Sequence, residues 1–107
     1  MATPFYLVAG LGKTGCSIAR YLTRKKTPFA LYDTRSHVNN IDTIKNEFPD
    51  IEIHLKDLPD PLYNRLDGII TSPGISLCEP FLERARALQI PIFGDIECFA
   101  QDRKSVV

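Results

Sequence analysis

The amino-acid sequence predicts an α/β domain with a five-stranded parallel sheet in the order 3-2-1-4-5, flanked by helices. Two observations carry this prediction. Short apolar runs alternate along the chain with segments whose apolar residues recur at helical spacing. Most of these runs are unbroken, which is typical of strands that are covered on both faces of a parallel sheet.

Five segments are predicted to be strands, because they are rich in β-branched and aromatic residues and end near Gly, Pro or Asp. Four of them are compact apolar runs, and the third alternates apolar and polar residues. They cover residues 5–9, 29–32, 51–55, 68–71 and 90–93.

Four further segments carry a helical pattern, at residues 14–25, 40–48, 79–88 and 95–100. The first places Ile18 and Leu22 on one face and ends in a cluster of cations, which suits a helix C-terminus. Residues 57–64 contain two prolines and are predicted to form a loop or a single turn. This alternation gives right-handed crossovers and a Rossmann-like topology, in which ligands bind beyond the carboxyl ends of the strands.

Length and composition fit one globular domain and exclude several classes of protein. The 107 residues are 44% hydrophobic and 24% charged, which rules out a disordered tail, a collagen-like repeat and a coiled coil. Thirteen basic side chains balance thirteen acidic ones, so no nucleic acid is expected as a partner. No apolar run approaches the roughly 20 residues that span a bilayer, so no membrane is expected either.

Cysteine usage indicates a reducing compartment. The chain contains Cys16, Cys78 and Cys98, an odd number of widely spaced residues. Such a set predicts free thiols that serve packing in a cytoplasmic protein, rather than a disulfide framework or a zinc site.

A glycine-rich turn follows the first strand and opens the first helix. Its sequence, G-L-G-K-T-G over residues 10–15, matches the G-x-G-x-x-G pattern of nucleotide-binding domains. Gly10 permits the tight bend, Gly12 lets the main chain approach a phosphate, and Gly15 lets the helix pack closely against the sheet.

The backbone amides at the start of this helix are candidate phosphate ligands. Those near Lys13, Thr14 and Gly15 have no expected partner within the helix, which favours binding of a diphosphate. The alternative is a turn that only connects strand and helix, with Thr14 as a helix cap and Lys13 in solvent.

Polar residues follow the second strand at the same edge of the predicted sheet. Asp33 lies about 20 residues beyond the glycines, where dinucleotide-binding domains place a carboxylate on a ribose. Thr34 and Arg35 are candidates to contact a nucleobase or a further sugar, because a guanidinium offers a planar face and several donors. Taken alone, Asp33 indicates NAD; the alternative is an ordinary polar loop.

A rigid polar turn follows the fourth strand. Ser72, Pro73 and Gly74 are positioned to aim backbone amides at the phosphates across the site. Because Pro73 has no N–H, Gly74 and Ile75 are the expected donors, although an ordinary turn is an equally good interpretation. No catalytic constellation and no metal-ligand spacing stands out, so no catalytic residue and no metal site is predicted.

The polar segments at four strand ends resemble those of the N-terminal domain of the bacterial Mur ligases. The segments are residues 10–15, 33–35, 72–75 and 94–99. Any one of them is unspecific, but the four together, in this order and spacing, resemble the branch of the family that joins D-glutamate to UDP-MurNAc-L-alanine.

The resemblance implies an activity for a whole enzyme and one part of it for this domain. Family members are cytoplasmic, three-domain enzymes of peptidoglycan synthesis that use ATP and magnesium and proceed through an acyl-phosphate. Their first domain binds the UDP part of the substrate, not NAD. The resemblance therefore implies that this chain holds no cofactor itself and forms no amide bond without the central and C-terminal domains.

The resemblance also implies three groups of contacts to the UDP part. Amides of the glycine-rich turn would bind the diphosphate, residues after the second strand would surround the uracil and its ribose, and residues after the fourth strand would hold the far side of the diphosphate. Together with the flanking positions of each motif, the predicted substrate-binding residues are Gly12, Lys13, Thr14, Gly15, Asp33, Thr34, Arg35, Ser72, Pro73 and Gly74.

Two hypotheses of function remain open from the sequence. In the first, residues 1–102 form a UDP-substrate-binding domain and residues 103–107 begin the linker and first strand of a central ATPase domain. In the second, the chain is a nicotinamide-dinucleotide-binding domain of an oxidoreductase or a regulatory module, since Asp33 and the glycines suit both. A dehydrogenase would also need a sixth strand and a second domain around the nicotinamide, which these residues do not supply.

Overall fold

Nine elements alternate along the chain in a computed structural model that describes residues 4–72, 75, 76 and 78–94. The strands form one sheet in the order β3-β2-β1-β4-β5, and every strand pair in it is parallel. This confirms the predicted α/β class and strand order. The elements are β1 (Tyr6–Ala9), α1 (Lys13–Arg24), β2 (Phe29–Asp33), α2 (Ile41–Glu47), β3 (Ile53–Leu55), α3 (Asp60–Tyr63), β4 (Gly68–Thr71), α4 (Pro80–Ala87) and β5 (Ile92–Phe93).

Element boundaries differ from the prediction by a few residues, for local reasons. α1 begins one residue earlier than predicted, at Lys13, because Gly12 takes the N-cap position. β5 is shorter than predicted, and Pro91, which has no N–H to donate, precedes it. α3 is the single turn that the prolines in that segment allow. The helix predicted at 95–100 and the predicted boundary at residue 102 lie outside the described residues.

The register of the three central strands brings their carboxyl ends to one level. Ala9 at the end of β1 lies opposite Tyr32 in β2 and Thr71 in β4. The ladder continues past the strand ends, since Gly10 N donates to Tyr32 O over 2.7 Å and Ser72 N donates to Ala9 O over 3.1 Å. The segments that follow the three strands therefore leave the sheet side by side.

Two buried apolar clusters cover the two faces of the sheet, because successive strand side chains point to opposite faces. On one face, Val8 of β1 packs with Ile18 and Leu22 of α1. On the other, Leu7 packs with side chains that include Leu62 of α3. This double coverage explains why the central strands are apolar without interruption.

The cysteines divide between the core and the surface. Cys16 is half-buried and packs against the α1-side cluster, as predicted for a packing residue. Cys78 is exposed, so the prediction that it serves packing is wrong, since the turn before α4 lies at the surface. Cys98 lies outside the described residues. Among those residues, no helix is long and apolar enough to cross a membrane.

Candidate functional site

A cavity of about 380 Å³ opens at the carboxyl edge of the sheet, where β1, β2 and β4 end together. Its size lies within the range of roughly 300–1,000 Å³ that is typical of small-molecule sites. Five of the predicted binding residues line it, and so do three neighbours. The lining residues are Gly10, Leu11, Gly12, Asp33, Thr34, Arg35, Ser72 and Ile75.

One half of the glycine-rich turn is packed into the protein. Gly10 has a φ of +100°, and a Cβ there would lie 2.2 Å from Ser72 Oγ. A Cβ on Gly15 would lie 1.7 Å from Gly10 O, so α1 approaches the end of β1 as closely as glycine allows. Leu11 between them is buried. The structure confirms that Gly10 permits the bend and that Gly15 permits close helix packing; we call Gly10, Leu11 and Gly15 the packed half of the turn.

The other half of the turn is open. Gly12 is the N-cap of α1. Within the described part of the chain, no side chain caps the helix there, and a Cβ on Gly12 would meet no atom within 4 Å. Gly12, not Thr14, therefore occupies the cap position. The first helical hydrogen bond runs from Cys16 N to Gly12 O over 3.0 Å, so the amides of residues 13–15 precede it and remain available to an anion. We call Gly12, Lys13 and Thr14, all of them exposed, the open half of the turn.

Asp33 connects the packed half of the turn to the segment after β2. Its carboxylate is buried, with only 3% of the residue exposed. Oδ2 accepts hydrogen bonds from Leu11 N at 3.0 Å and Arg35 Nη2 at 2.9 Å. Oδ1 accepts from Arg35 N and Arg35 Nε, both at 2.9 Å. One side chain thus joins two parts of the cavity wall, the glycine-rich turn and the segment after β2.

The hydrogen bonds keep the Asp33 carboxyl group ionised. Burial opposes the charged form, but the donors of Arg35 and the amides of Leu11 and Arg35 outweigh it and lower the pKa to about 2. The same ion pair raises the pKa of Arg35. The negative charge is therefore offset by an adjacent guanidinium, so it repels an anionic ligand less than an isolated carboxylate would.

Arg35 keeps hydrogen-bonding capacity for a ligand. Two of its guanidinium nitrogens bind Asp33, while 60% of its side chain is exposed. No hydrogen bond within the described part of the chain occupies Nη1 or the hydroxyl of its neighbour Thr34, which also lines the cavity. A planar face, one guanidinium nitrogen and one hydroxyl are therefore available at this wall.

In the described part of the segment after β4, one of the two expected backbone donors is already used. Ser72 lines the cavity and is half-buried. Ile75 N donates to Ser72 O over 3.1 Å, so the prediction that the Ile75 amide is a free donor is wrong: the turn itself uses it. Pro73 and Gly74 lie outside the described residues, and their predicted contacts stay predictions.

A second cavity of about 350 Å³ adjoins the first, and Thr34 lines both. Tyr32 and Phe81 form part of its wall as an edge-to-face pair with ring centroids 4.9 Å apart. The Tyr32 hydroxyl donates to Lys56 O over 2.7 Å, and burial raises its pKa to about 12. Sequence reasoning missed this cavity, because its residues come from four separate segments and only Thr34 belongs to a motif.

The described residues contain no group of three or more His, Cys, Asp or Glu side chains that could hold a metal ion. The side chains around the main cavity include one carboxylate, which already binds a guanidinium and two backbone amides. The arrangement suits an anionic ligand with planar and hydroxyl-bearing parts better than a cation.

Comparison with known proteins finds a matching family model and similar proteins that agree with it. The family model described as the Mur ligase MurD-like N-terminal domain matches residues 5–94. The UDP-N-acetylmuramoylalanine–D-glutamate ligase of Legionella pneumophila strain Paris is 50% identical over 97 residues, which are 91% of this chain and 22% of that protein. The ligase of the same name from Pseudomonas aeruginosa is 37% identical over 103 residues, 96% of this chain and 23% of that protein.

The match to the family model covers all the described strands and helices, together with the segments that line the cavity. The chain spans less than a quarter of the length of the two relatives. The similarity thus covers nearly the full length of one domain, and the family assignment applies to that domain. This chain belongs to the family of MurD-like N-terminal domains of the Mur ligases.

Proposed function

We propose that this chain binds the UDP part of UDP-MurNAc-L-alanine and serves as the nucleotide-binding domain of a ligase that adds D-glutamate to that substrate. The observation that carries the proposal is the start of α1, where the amides of residues 13–15 precede the first helical hydrogen bond and adjoin a cavity of suitable size. The substrate named for the two similar ligases supports the choice of UDP-MurNAc-L-alanine.

The diphosphate is assigned to the amides of residues 13–15. They precede the first helical hydrogen bond and lie at the positive end of the α1 dipole, which favours an anion. Gly12 leaves open space beside them, so a phosphate can approach the main chain without meeting a Cβ. Lys13 is exposed at the same place and adds positive charge.

The uridine is assigned to the wall formed by Thr34 and Arg35. An exposed guanidinium offers a flat face for a base, and the Thr34 hydroxyl, which no described residue binds, can donate or accept one hydrogen bond. Ser72 faces the same cavity from the opposite strand end, where we place the far side of the diphosphate. Pro73 and Gly74 remain proposed contacts on that side.

The other parts of the reaction are assigned to the rest of the enzyme. We assign the use of ATP and magnesium to central and C-terminal domains. The described residues of this chain contain no cluster of metal ligands, so none of them is proposed to bind magnesium. We propose a cytoplasmic location, because the enzymes of this family use a substrate and ATP that are both present in the cytoplasm. The nicotinamide alternative gains no support, since the family model and the relatives named above concern ligases.

A titration of the isotopically labelled chain tests the proposal. UDP, UDP-MurNAc-L-alanine and NADH are added separately, and backbone amide shifts are followed by NMR. UDP compounds are expected to shift the amides of residues 12–15 and of Thr34, while NADH does little. A stronger response to NADH than to either UDP compound would reverse the assignment.

A further inference from the structure

The Asp33 carboxylate has no acceptor capacity left for a ligand. A carboxylate accepts about four hydrogen bonds, two on each oxygen. Here Leu11 N and Arg35 Nη2 occupy Oδ2, and Arg35 N and Arg35 Nε occupy Oδ1, at distances of 2.9 to 3.0 Å. A ribose hydroxyl or a base N–H would have to displace one of these donors from a side chain that is almost fully buried.

The backbone of Asp33 is held as firmly as its side chain. Lys56 N donates to Asp33 O over 2.8 Å, which ties the residue to the segment after β3. On the other side, Gly10 N donates to Tyr32 O over 2.7 Å, which ties the preceding residue to the glycine-rich turn. The carboxylate therefore acts from a fixed position between the turn and Arg35.

We propose that Asp33 is a positioning residue that contacts no atom of the nucleotide and instead holds two walls of the site in register. Through Leu11 it sets the path of the turn, and hence the direction of the amides that follow. Through Arg35 it sets the plane of the guanidinium that faces the uridine. The proposal rests on the proposed function and reassigns a position where dinucleotide-binding domains place a ribose ligand.

The first test is made without ligand. In an NMR spectrum of the free chain, a Leu11 amide bonded to a carboxylate gives a downfield proton signal that exchanges slowly with solvent. Asp33→Asn is expected to move this signal upfield and to speed its exchange. An unchanged Leu11 signal would overturn the proposal.

The second test compares ligands that contain or lack the uridine. Affinities of inorganic pyrophosphate, UDP and 2′-deoxy-UDP are measured by calorimetry for the wild-type chain and for Asp33→Asn. Because the turn is mispositioned in the variant, pyrophosphate is expected to bind about tenfold more weakly, and UDP at least as much. Loss of the 2′-hydroxyl is expected to cost the same factor in both proteins, since Asp33 does not contact it.

Two results would overturn the positioning role. In one, Asp33→Asn weakens UDP but leaves pyrophosphate unchanged; in the other, the 2′-hydroxyl matters only when Asp33 is present. Both indicate direct contact with the uridine and leave the proposed function intact. If the wild-type chain binds neither UDP nor pyrophosphate, the proposed function fails, and the role of Asp33 in it fails as well.

Glu47→Gln is the matched control. Glu47 forms the same kind of two-pronged pair, with Arg20, at 2.6 and 3.0 Å, and neither residue lines the cavity. This variant is expected to bind pyrophosphate and UDP as the wild type does. An equal loss of affinity in Glu47→Gln would overturn the proposal, because it would show that breaking any such ion pair suffices.

A second variant avoids the risk that Asp33→Asn does not fold. Replacing the Leu11 amide by an ester removes one donor to Asp33 and keeps every side chain; the Gly15–Cys16 junction suits chemical ligation for this purpose. The ester chain is expected to bind pyrophosphate severalfold more weakly, although Leu11 N–H is not itself a ligand. Unchanged pyrophosphate binding would overturn the proposal.

Discussion

The packed and open halves of the glycine-rich turn use the same residue type for opposite purposes. A Cβ on Gly15 would overlap Gly10 O at 1.7 Å, whereas a Cβ on Gly12 would meet no atom of the described residues within 4 Å. Gly15 is therefore required by the fold. Packing among the described residues does not require Gly12: a glycine suits the N-cap position and also leaves room for a ligand beside the helix.

This difference separates stability from binding within six residues of chain. Changes in the packed half should alter the free energy of unfolding, and binding only as a consequence. Changes in the open half should alter binding and leave the fold nearly as stable as before. Substitutions in each half and a change of pH test whether stability and binding separate in this way.

Gly15→Ala is expected to have the largest effect on stability. Alanine in place of glycine within a helix normally stabilises by up to about 1 kcal/mol. Here the added methyl must push α1 away from β1, so a loss of about 3 kcal/mol is expected in urea denaturation. Gly12→Ala is the control and should cost less than about 1 kcal/mol. Equal stability of Gly15→Ala and the wild type would show that the fold does not require glycine at position 15.

Acid should weaken the packed half through Asp33. Its folded-state pKa of about 2 lies below the ordinary value of 3.8, so the fold favours the carboxylate. The resulting stability, about 2 kcal/mol, is fully present above about pH 4 and is lost as pH falls toward 2. Urea denaturation of the wild type at pH 6, 4, 3 and 2 measures this decline.

Asp33→Asn serves as the control for the acid effect. The variant has no carboxyl group to protonate at this site, so its stability should be lower at neutral pH and should fall less steeply between pH 4 and 2. Identical slopes for the variant and the wild type would show that other carboxyl groups cause the acid sensitivity.

Gly12→Val should affect binding rather than folding. The β-branched side chain fills the open space beside the amides of α1 and blocks the diphosphate, so UDP affinity should fall at least about tenfold. Stability should stay within about 1 kcal/mol of the wild type, which is the cost of a poor N-cap residue. Calorimetry and urea denaturation measure the two quantities. Normal UDP binding by this variant would place the phosphate elsewhere.

Lys13→Ala should have the smallest effect. If phosphate binding depends on backbone amides, removal of this exposed side chain costs only a screened charge interaction, about two- to threefold in affinity at low salt. The difference should disappear at high salt, as measured by calorimetry at two ionic strengths. A loss that persists at high salt would assign the phosphate contact to the side chain instead.

The sequence predicts the fold well, and it predicts the edge of the sheet at which the main cavity opens. The apolar runs and the prolines define the elements, and the parallel topology then requires that the glycine-rich turn, Asp33 and Ser72 meet at one edge of the sheet. The conformational needs of Gly10 and Gly15 also follow from their spacing alone. These features depend on local pattern and on chain topology, which a sequence expresses directly.

The hydrogen-bond partners of individual polar atoms are harder to predict from the sequence. Asp33 is equally suited to a ribose or to an arginine two residues away, and only coordinates show that four protein donors occupy it. Likewise, the Ile75 amide is used within its own turn. The second cavity is lined by residues that are distant in sequence, so no motif spacing predicts it.

A crystal structure of the chain with UDP would show where the diphosphate binds. Phosphate oxygens are expected within hydrogen-bonding distance of the backbone amides of residues 13–15, with Gly12 beside them and the uracil against Arg35. Density for the nucleotide in the second cavity or at another surface, with the open half of the turn unoccupied, would contradict this assignment.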